Sequence, residues 1–385
     1  MRMSRIVLIM GFIGFAVTVW SEPRPSCNSN YVSHSLNGWT VLPNGNDDTA
    51  NLQCAFDEAA KGHGAAVQLI AGTYHTGQVA VSGFMGVFRG AGMNATTIET
   101  LDRQLKVAPV DFNLKPPTPE NGSNPWPSIF AFVGGDVVIS DLSLYTTGNA
   151  GTTGWILSVL GFPIYELAHG FIVVGPLAPG QGYSEANAAL YRVHIEGLPK
   201  GGTLLGYNLI NGIYYEGILG VTAPATFPLK GKFTVRDSEF RSMAGGTNLL
   251  GLFEARVSII GNRYLDSFEG MDIGSVSNTV YKFSNNEISN SLAWGVDLYG
   301  AFQSSTILIN NNEITGNGMG LDLDDSLTFS GDVKCGLLKN DVRDVQAVGV
   351  YLSAGTRNCL VVCKARTDTV QDLGTDNTVI GCHKF

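Results

Sequence analysis

A tetrapeptide of the form Gly-apolar-Asp-apolar occurs three times at a regular spacing of 25 residues. The three copies are centred on Asp272, Asp297 and Asp322. Each copy follows an apolar run that ends in a polar turn, as in residues 307–314 with the sequence ILINNNEI. A unit of this length cannot bury an apolar face alone, so consecutive units must stack on one another. The repeat therefore predicts a solenoid.

The pattern continues in weaker form on both sides of the three aspartates. The equivalent central positions are Tyr214 and Asn248 before them and Tyr351 after them. Two or three short strands per unit, with Gly and Asn at the corners, are typical of one coil of a β-helix. A leucine-rich repeat is excluded because its consensus is missing and no helical segment recurs. The expected fold is all-β, a single-stranded right-handed parallel β-helix.

The composition agrees with one long solenoid. Gly supplies 48 of the 385 residues and only 15% of residues are charged, which excludes coiled coils and helical arrays. Hydrophobic residues make up 44% of the chain, which excludes disorder. We expect residues 22–385 to form a single β-helix domain of about ten coils.

Several segments fall outside the regular repeat. Residues 49–60 have apolar side chains at helical spacing behind an acidic N-cap candidate, which predicts a helix that covers the N-terminal end of the solenoid. Residues 102–128 hold six prolines and predict a loop insertion. Residues 148–186 are Gly-rich and apolar, and we interpret them as a second insertion.

The N-terminus has the pattern of an export signal. Two arginines precede an apolar run within residues 1–21, which predicts a cleaved signal peptide and a secreted, extracellular or periplasmic protein. An uncleaved N-terminal anchor is the alternative; after cleavage we expect no stable membrane insertion. The net charge of −9 excludes nucleic acid as a partner class. Six cysteines, two near the start and four near the end, allow up to three disulfides with open connectivity.

Four short motifs in the N-terminal part resemble a known family. They are NDDT at 46–49, LQ at 52–53, AGTY at 71–74 and FRGAGM at 88–93. Together they are similar to the opening coils of the pectate-lyase-like superfamily over about residues 37–100. The resemblance implies a β-helix fold and a polysaccharide partner. The superfamily includes lyases, hydrolases, epimerases and proteins without activity, so it does not select a reaction.

No motif set of a single activity family is complete. Asp324 and Asp325 resemble the paired aspartates of polygalacturonases, but the Gly-His-Gly and Arg-Ile-Lys elements of that family do not follow. The specific reaction stays open at this level.

Strand geometry turns the repeat into an external row of side chains. Side chains alternate along a strand, so the apolar neighbours of each central residue point inward and the central residue points outward. Stacked coils lie ~4.8 Å apart. The expected ladder is Tyr214, Asn248, Asp272, Asp297, Asp322 and Tyr351, and a second outward row contains Tyr299, Asp324 and Ser353.

The ladder is the predicted functional site. Adjacent carboxylates repel, and one way to relieve this is to raise one pKa, which places an acid beside a base. We therefore expect Asp272, Asp297 and Asp322 to be catalytic in cleaving a glycan, one containing uronic acid, by hydrolysis or β-elimination. The expected substrate-binding residues are Tyr214, Asn248, Tyr299, Asp324 and Tyr351.

We expect no cofactor to be required and define no metal site, although the same carboxylates offer the oxygen ligands that calcium prefers.

The alternative is a non-catalytic glycan-binding or structural surface protein. Aspartates beside glycines also satisfy turn amides at solenoid corners. We expect structural roles for His63, His169 and His194, which are isolated in the sequence, and surface roles for Arg241, Arg263 and Lys282.

Overall fold

The computed structural model describes residues 27–62, 66–101, 128–146, 169–175, 184–197, 211–216, 228–364 and 369–383. These residues contain one helix, α1 (Thr49–Lys61), and 32 strands. The strands are, in chain order, β1 Val32–Ser35, β2 Gly38–Val41, β3 Ala66–Leu69, β4 Gly72–Thr76, β5 Val79–Ser82, β6 Met85–Arg89, β7 Thr96–Thr100, β8 Ser128–Val133, β9 Asp136–Tyr145, β10 His169–Val174, β11 Ser184–Glu185, β12 Asn187–Glu196, β13 Asn211–Glu216, β14 Leu229–Lys230, β15 Lys232–Arg236, β16 Glu239–Arg241, β17 Gly245–Phe253, β18 Arg256–Ile260, β19 Arg263–Leu265, β20 Glu269–Ser277, β21 Val280–Ser284, β22 Glu287–Ser289, β23 Trp294–Gln303, β24 Thr306–Asn310, β25 Glu313–Thr315, β26 Met319–Leu323, β27 Thr328–Ser330, β28 Lys334–Arg343, β29 Val350–Leu352, β30 Cys359–Cys363, β31 Val370–Asp372 and β32 Thr378–Ile380.

The strands form two long sheets that run the length of the described chain. In each coil of the repeat region two short strands join the first sheet and a longer one joins the second sheet, as β18, β19 and β20 do. Each strand pairs in parallel with its equivalent in the next coil; β1 and β2 are antiparallel. The predicted all-β, parallel β-helix architecture is thus confirmed, while its single-stranded character and its right-handedness stay predictions. The second sheet is called the ladder sheet below.

The apolar interior is built by alternation along each strand. In β23 the side chains of Val296 and Leu298 are fully buried, and Leu321 and Leu323 occupy the equivalent positions in β26. Burial of these side chains in every coil supplies the driving force for stacking, at about 25 cal/mol per Å² of apolar surface. The residue between each pair points to the other face of the sheet.

Helix α1 closes the N-terminal end of this interior, as the sequence predicts. Its buried Phe56 ring lies 5.0–6.3 Å from the rings of Phe84, Phe88, Phe130 and Phe132. Asp48 precedes the helix, but its carboxylate accepts the backbone N–H groups of Asn44 and His75 rather than capping the helix. Asp48 therefore stabilises the turn before the helix and links it to β4.

The asparagine corners are structural, also as expected. Asn262, Asn286, Asn312 and Asn340 form a buried stack along the solenoid, in which each side-chain amide donates to the carboxamide oxygen of the next. Their separations of 24, 26 and 28 residues show that the coils differ in length, and one of the extra residues lies within β23, where the register with β20 shifts. The stack therefore holds the coils in register.

Three disulfides join cysteines close in the chain: Cys27–Cys54, Cys335–Cys359 and Cys363–Cys382. The grouping near the two ends matches the expectation from the sequence. No helix in the described part of the chain is long and apolar enough to cross a membrane.

The predicted insertions lie largely outside the described residues, as does the predicted signal segment 1–21. Residues 102–127, 147–168 and 176–183 are not described. Within the predicted insertion 148–186, however, β10 pairs in parallel with β8 and β13. That segment therefore contributes a rung to the ladder sheet.

Candidate active site

The register of the ladder sheet brings the predicted row together. Asp272 pairs with Asp297, and Asp297 pairs with Asp322 on the next strand. Asn248 pairs with Asp272 at one end, and Tyr351 pairs with Asp322 at the other. The backbone of Tyr214 pairs with Asn248, while its side chain lies outside the described part. The expected order of rungs is confirmed.

The glycine of each tetrapeptide explains how the coils approach closely at this row. A Cβ added at Gly270 would lie 2.4 Å from the carbonyl oxygen of Gly295, and one added at Gly295 would lie 2.7 Å from that of Gly320. Both distances are shorter than real Cβ contacts allow. Any larger residue at these positions would push the strands apart next to the stacked carboxylates. The glycine of the motif therefore allows the close strand spacing that the acidic row requires.

The second outward row is only partly formed. Tyr299 pairs with Gly274 in the ladder sheet. Asp324 follows β26 in a turn, where its carboxylate accepts the backbone N–H of Ser326. Ser353 is fully buried instead of facing outward. The strand rule fails at Asp324 and Ser353 because β26 and β29 end before these positions.

Despite its place in a turn, Asp324 joins the acidic row. Carboxylate oxygens of Asp297, Asp322 and Asp324 all lie within 4.8 Å of one another. The turn thus places the Asp324 carboxylate beside those of Asp297 and Asp322, so that three acids lie close together.

The central carboxylates are more buried than expected. The sequence predicts an exposed ladder, yet Asp297 is 8% exposed and Asp322 is 5% exposed. Asp272 is half-buried. Neighbouring side chains cover the row: Trp294 makes a hydrogen bond to Asp322, and the carboxamide of Asn248 donates to Asp272 Oδ2 at 2.8 Å. The expectation of an open aspartate surface is therefore corrected to a covered acidic row.

One oxygen of each ladder aspartate has no hydrogen-bond partner. The Oδ1 atoms of Asp272, Asp297 and Asp322 are all buried without a partner among the described residues. A buried acceptor left unsatisfied costs about 1–3 kcal/mol, so a row of three is not explained by stability. A catalytic role, a bound ion or bound water accounts for such atoms, which makes this row the candidate site.

Burial and mutual repulsion separate the acidities of the two central carboxyls. Desolvation, together with the charges of Asp272, Asp322 and Asp324, raises the pKa of Asp297 to about 8. Desolvation and Asp324 also raise the pKa of Asp322, but the Trp294 hydrogen bond opposes them and leaves this pKa at about 6. Near neutral pH the first is protonated and the second is ionised.

Two contributors to the site were not predicted from the sequence. Glu269 is the first: burial, with a smaller contribution from the charge of Asp297, raises its pKa above the usual range. Burial also raises the pKa of Asp272, and the charge of Glu269 raises it further. Trp294 is the second. Glu269 and Trp294 both stand directly before the tetrapeptide glycine, so comparing the repeats at that position could have identified them.

Tyr351, the last rung of the expected ladder, is hydrogen-bonded to Asp325. Its hydroxyl donates to Asp325 Oδ1 at 2.5 Å, and this bond raises the pKa of Tyr351 to about 12. The pair closes the C-terminal end of the acidic row.

His194 has the expected structural contacts, and the Arg263 side chain is exposed, as expected of a surface charge. His194 contacts Glu196 and Glu239, and Arg263 bridges Glu239 and Glu287. His63 and the side chain of His169 lie outside the described part of the chain.

The donor set around Asp297, Asp322 and Asp324 fits a calcium ion. Calcium takes six to eight oxygen ligands, among them carboxylates bound through one or two oxygens. Two of the three carboxylates carry an unpartnered buried Oδ1. These residues would hold the ion.

Comparisons with known proteins support the fold. No protein-family model matches the sequence, and no curated protein matches it. Among solved structures, the Dettilon tailspike protein aligns with 88% of this chain and 59% of its own, at 11% identity and a TM-score of 0.51. The mannuronan C-5 epimerase AlgE4 A-module of Azotobacter vinelandii aligns with 88% of this chain and 93% of its own, at 17% identity and a TM-score of 0.44. The catalytic unit of the GH87 alpha-1,3-glucanase of Streptomyces thermodiastaticus aligns with 94% of this chain and 65% of its own, at 12% identity and a TM-score of 0.43.

At these identities the likeness concerns the fold alone. For the tailspike, whose TM-score exceeds 0.5, this likeness agrees with the fold expected from the motifs in residues 37–100.

Proposed function

We propose that this protein is an exported glycoside hydrolase that cleaves a polysaccharide at the Asp297–Asp322 pair. The observation that carries the proposal is the contrast between these two neighbouring carboxyls. Each has a buried, unpartnered Oδ1, and their pKa values lie near 8 and near 6. Two carboxyls whose environments separate their pKa values are the means by which glycosidases assign acid and base.

The two carboxyls take different roles in the proposed reaction. Asp297 remains protonated near neutral pH and donates its proton to the oxygen of the leaving sugar. Asp322 is ionised and acts on the anomeric carbon, either directly or through water. The hydrogen bond from Trp294 stabilises the ionised form of Asp322, and this bond keeps the two acidities apart.

The remaining ladder residues support this pair. Asp272, with its Asn248 hydrogen bond, lies one rung away and adds to the desolvation and the other acidic neighbours that raise the pKa of Asp297. Tyr299 and Tyr351 on the flanking positions offer rings on which sugars stack. The disulfides fit export, since such bonds persist in oxidising compartments.

A second candidate is a calcium-dependent reaction on a uronic-acid glycan, including β-elimination. The triad of Asp297, Asp322 and Asp324 favours it, because these carboxylates fit a calcium ion that would neutralise a substrate carboxylate. In that case the ladder acids bind the ion and another group removes the proton.

Product analysis of matched variants tests the proposal. Wild-type protein, Asp297→Asn and Asp322→Asn are incubated with a panel of polysaccharides, and reducing ends and ultraviolet absorbance are followed. We expect reducing ends without an unsaturated product, and a loss of about 10²–10⁴-fold in either variant. Asp344→Asn, an exposed aspartate at a turn of the first sheet, is the control and should retain full activity.

Other outcomes separate the alternatives. An unsaturated, ultraviolet-absorbing product that requires calcium would support the second candidate. Glycan retention without products would instead support a binding protein. Unchanged turnover in both ladder variants would remove the pair from the reaction.

A further inference from the structure

Several carboxylates of the first sheet have arginine partners, whereas those of the acidic row in the ladder sheet have acidic neighbours. On the first sheet, Arg263 donates to Glu239 at 2.8 Å and to Glu287 at 2.9 Å. Arg343 pairs with Glu313 in the same manner further along the solenoid. Basic side chains there cancel part of the charge of the stacked acids, although Glu287, Glu313 and Asp341 follow one another directly.

No such cancellation occurs along the acidic row. Strands β17, β20, β23, β26, β29 and β31 contain neither lysine, arginine nor histidine. The charged groups that act on Asp297 and Asp322 are all carboxylates: Asp272, Asp324 and Asp325, together with each other. In the described part of the chain, therefore, the site presents negative charge and hydrogen-bond acceptors without a compensating cation.

The free acceptors define what can occupy the site. Asp297 and Asp322 are more than nine-tenths buried, and the Oδ1 atom of each has no hydrogen-bond partner among the described residues. Sugar hydroxyl groups would donate hydrogen bonds to the Asp322 carboxylate and accept one from the protonated Asp297 carboxyl. A substrate carboxylate brings acceptors alone, and like charges at short range in a poorly solvated site repel strongly.

We propose that the acidic row accepts a polysaccharide whose sugars carry no negative charge at this site. The inference rests on the proposed glycan-cleaving function and replaces uronic acid with neutral sugars as its substrate class. Sugar hydroxyl groups complement the Asp297–Asp322 pair, while repulsion from the carboxylates of Asp322, Asp324 and Asp325 rejects glycans with carboxylates or sulfates. Specificity thus arises from a missing counter-charge as much as from contacts.

Pairs of polymers that differ only in charge test the proposal. The wild-type chain is assayed with homogalacturonan and with alginate, each beside its carboxyl-reduced form, and with carboxymethylcellulose beside cellulose oligosaccharides. All assays contain a chelator. We expect cleavage of neutral members only, with at least a 100-fold preference in kcat/KM in each pair that is cleaved. A faster reaction on any acidic member overturns the proposal.

Binding distinguishes failure of this inference from failure of the proposed function. If no polymer is cleaved, retention in affinity gels containing each polymer is measured instead. Retention by neutral polymers alone supports the substrate class while the hydrolase proposal fails. Retention by acidic polymers, or by none, overturns the substrate class.

Calcium and a charge variant complete the test. If added calcium makes an acidic polymer the preferred substrate, the neutral-substrate proposal is overturned and the calcium-dependent candidate is supported.

Asp325→Asn removes an exposed charge beside the row, and we expect it to weaken the discrimination against acidic polymers several-fold. Asp344→Asn, which lies away from the row, should leave the discrimination unchanged; an equal effect of both variants would contradict a local origin.

Discussion

Asp297 and Asp322 are directly paired on neighbouring parallel strands, yet the pKa of the first lies about two units above that of the second (about 8 against about 6). Identical side chains at equivalent positions of a repeat thus differ in acidity. The difference comes from their neighbours: Asp297 has an aspartate on each side, whereas Asp322 is followed by Tyr351 and accepts a hydrogen bond from Trp294. A repeat can therefore build an acid and a base from one motif.

The pH dependence of activity should reflect this difference. Asp322 must be ionised and Asp297 protonated, so we expect kcat/KM to rise through pH 6 and to fall through pH 8. Replacing Trp294 by Phe removes the hydrogen bond that lowers the pKa of Asp322. The acid limb of the profile should then move to higher pH, while the alkaline limb stays. The profile of kcat/KM against pH on a cleaved polymer measures both.

A matched control for the Trp294→Phe variant is Trp39→Phe, in β2 of the first sheet. It should leave both limbs in place. An acid limb that fails to move in Trp294→Phe, or that moves equally in the control, would contradict the role of the indole N–H.

The stereochemical outcome follows from which rungs react. Carboxylate oxygens of Asp297 and Asp322 lie within 4.8 Å, which fits the short separation of about 5–5.5 Å in retaining glycosidases. We expect the newly formed reducing end to keep its anomeric configuration, as followed by proton NMR in the first minutes of reaction. Inversion would point instead to Asp272 and Asp322, two rungs apart at ~9.6 Å.

The sequence predicts the order of the ladder but not its environment. The 25-residue spacing and the alternation of strand side chains determine both the rung and the face of Asp272, Asp297 and Asp322, and the register agrees. The burial of the last two could not be predicted, because it depends on side chains from other rows, such as Trp294. Asp324 lies beyond the end of its strand, where the alternation rule no longer applies.

Stability should fall as pH rises, through the same carboxyl group. The pKa of Asp297 is about 8 in the folded protein, against about 3.9 for an unfolded aspartate. The folded state thus holds a proton that the unfolded state releases, and this stabilisation is complete below pH ~4 and is lost as pH rises through ~8. The slope from this group is at most about 1.4 kcal/mol per pH unit.

Denaturation of Asp297→Asn and wild type between pH 5 and 9 measures this effect. The variant side chain is neutral throughout, so its free energy of unfolding should decline less over this range than that of the wild type. Asp344→Asn should follow the wild type. Parallel declines in the wild type and Asp297→Asn would show that the carboxyl is ionised in the folded protein.

The asparagine stack should determine whether the rungs stay close enough for this chemistry. Asn286 Oδ1 accepts the backbone N–H of Asn262, and its Nδ2 donates to Ile259 O and to Asn312 Oδ1. Asn286→Ala removes this side chain from the buried Asn262 N–H and from Ile259 O, whereas Asn312 Oδ1 keeps the backbone N–H of Asn286. At about 1–3 kcal/mol for each such group, we expect the free energy of unfolding to fall by about 3 kcal/mol or more.

Asn310→Ala is the matched control for Asn286→Ala, since the side-chain oxygen of Asn310 has no hydrogen-bond partner among the described residues. Chemical denaturation should show a loss below about 1 kcal/mol for this variant. Equal losses in the two variants would mean that the stack adds no stability beyond ordinary packing. A large loss confined to Asn286→Ala would show that hydrogen bonds between the asparagine corners hold neighbouring coils together. Because the same coils carry Asp297 and Asp322, the corners of the first sheet would then also maintain the acidic row of the ladder sheet.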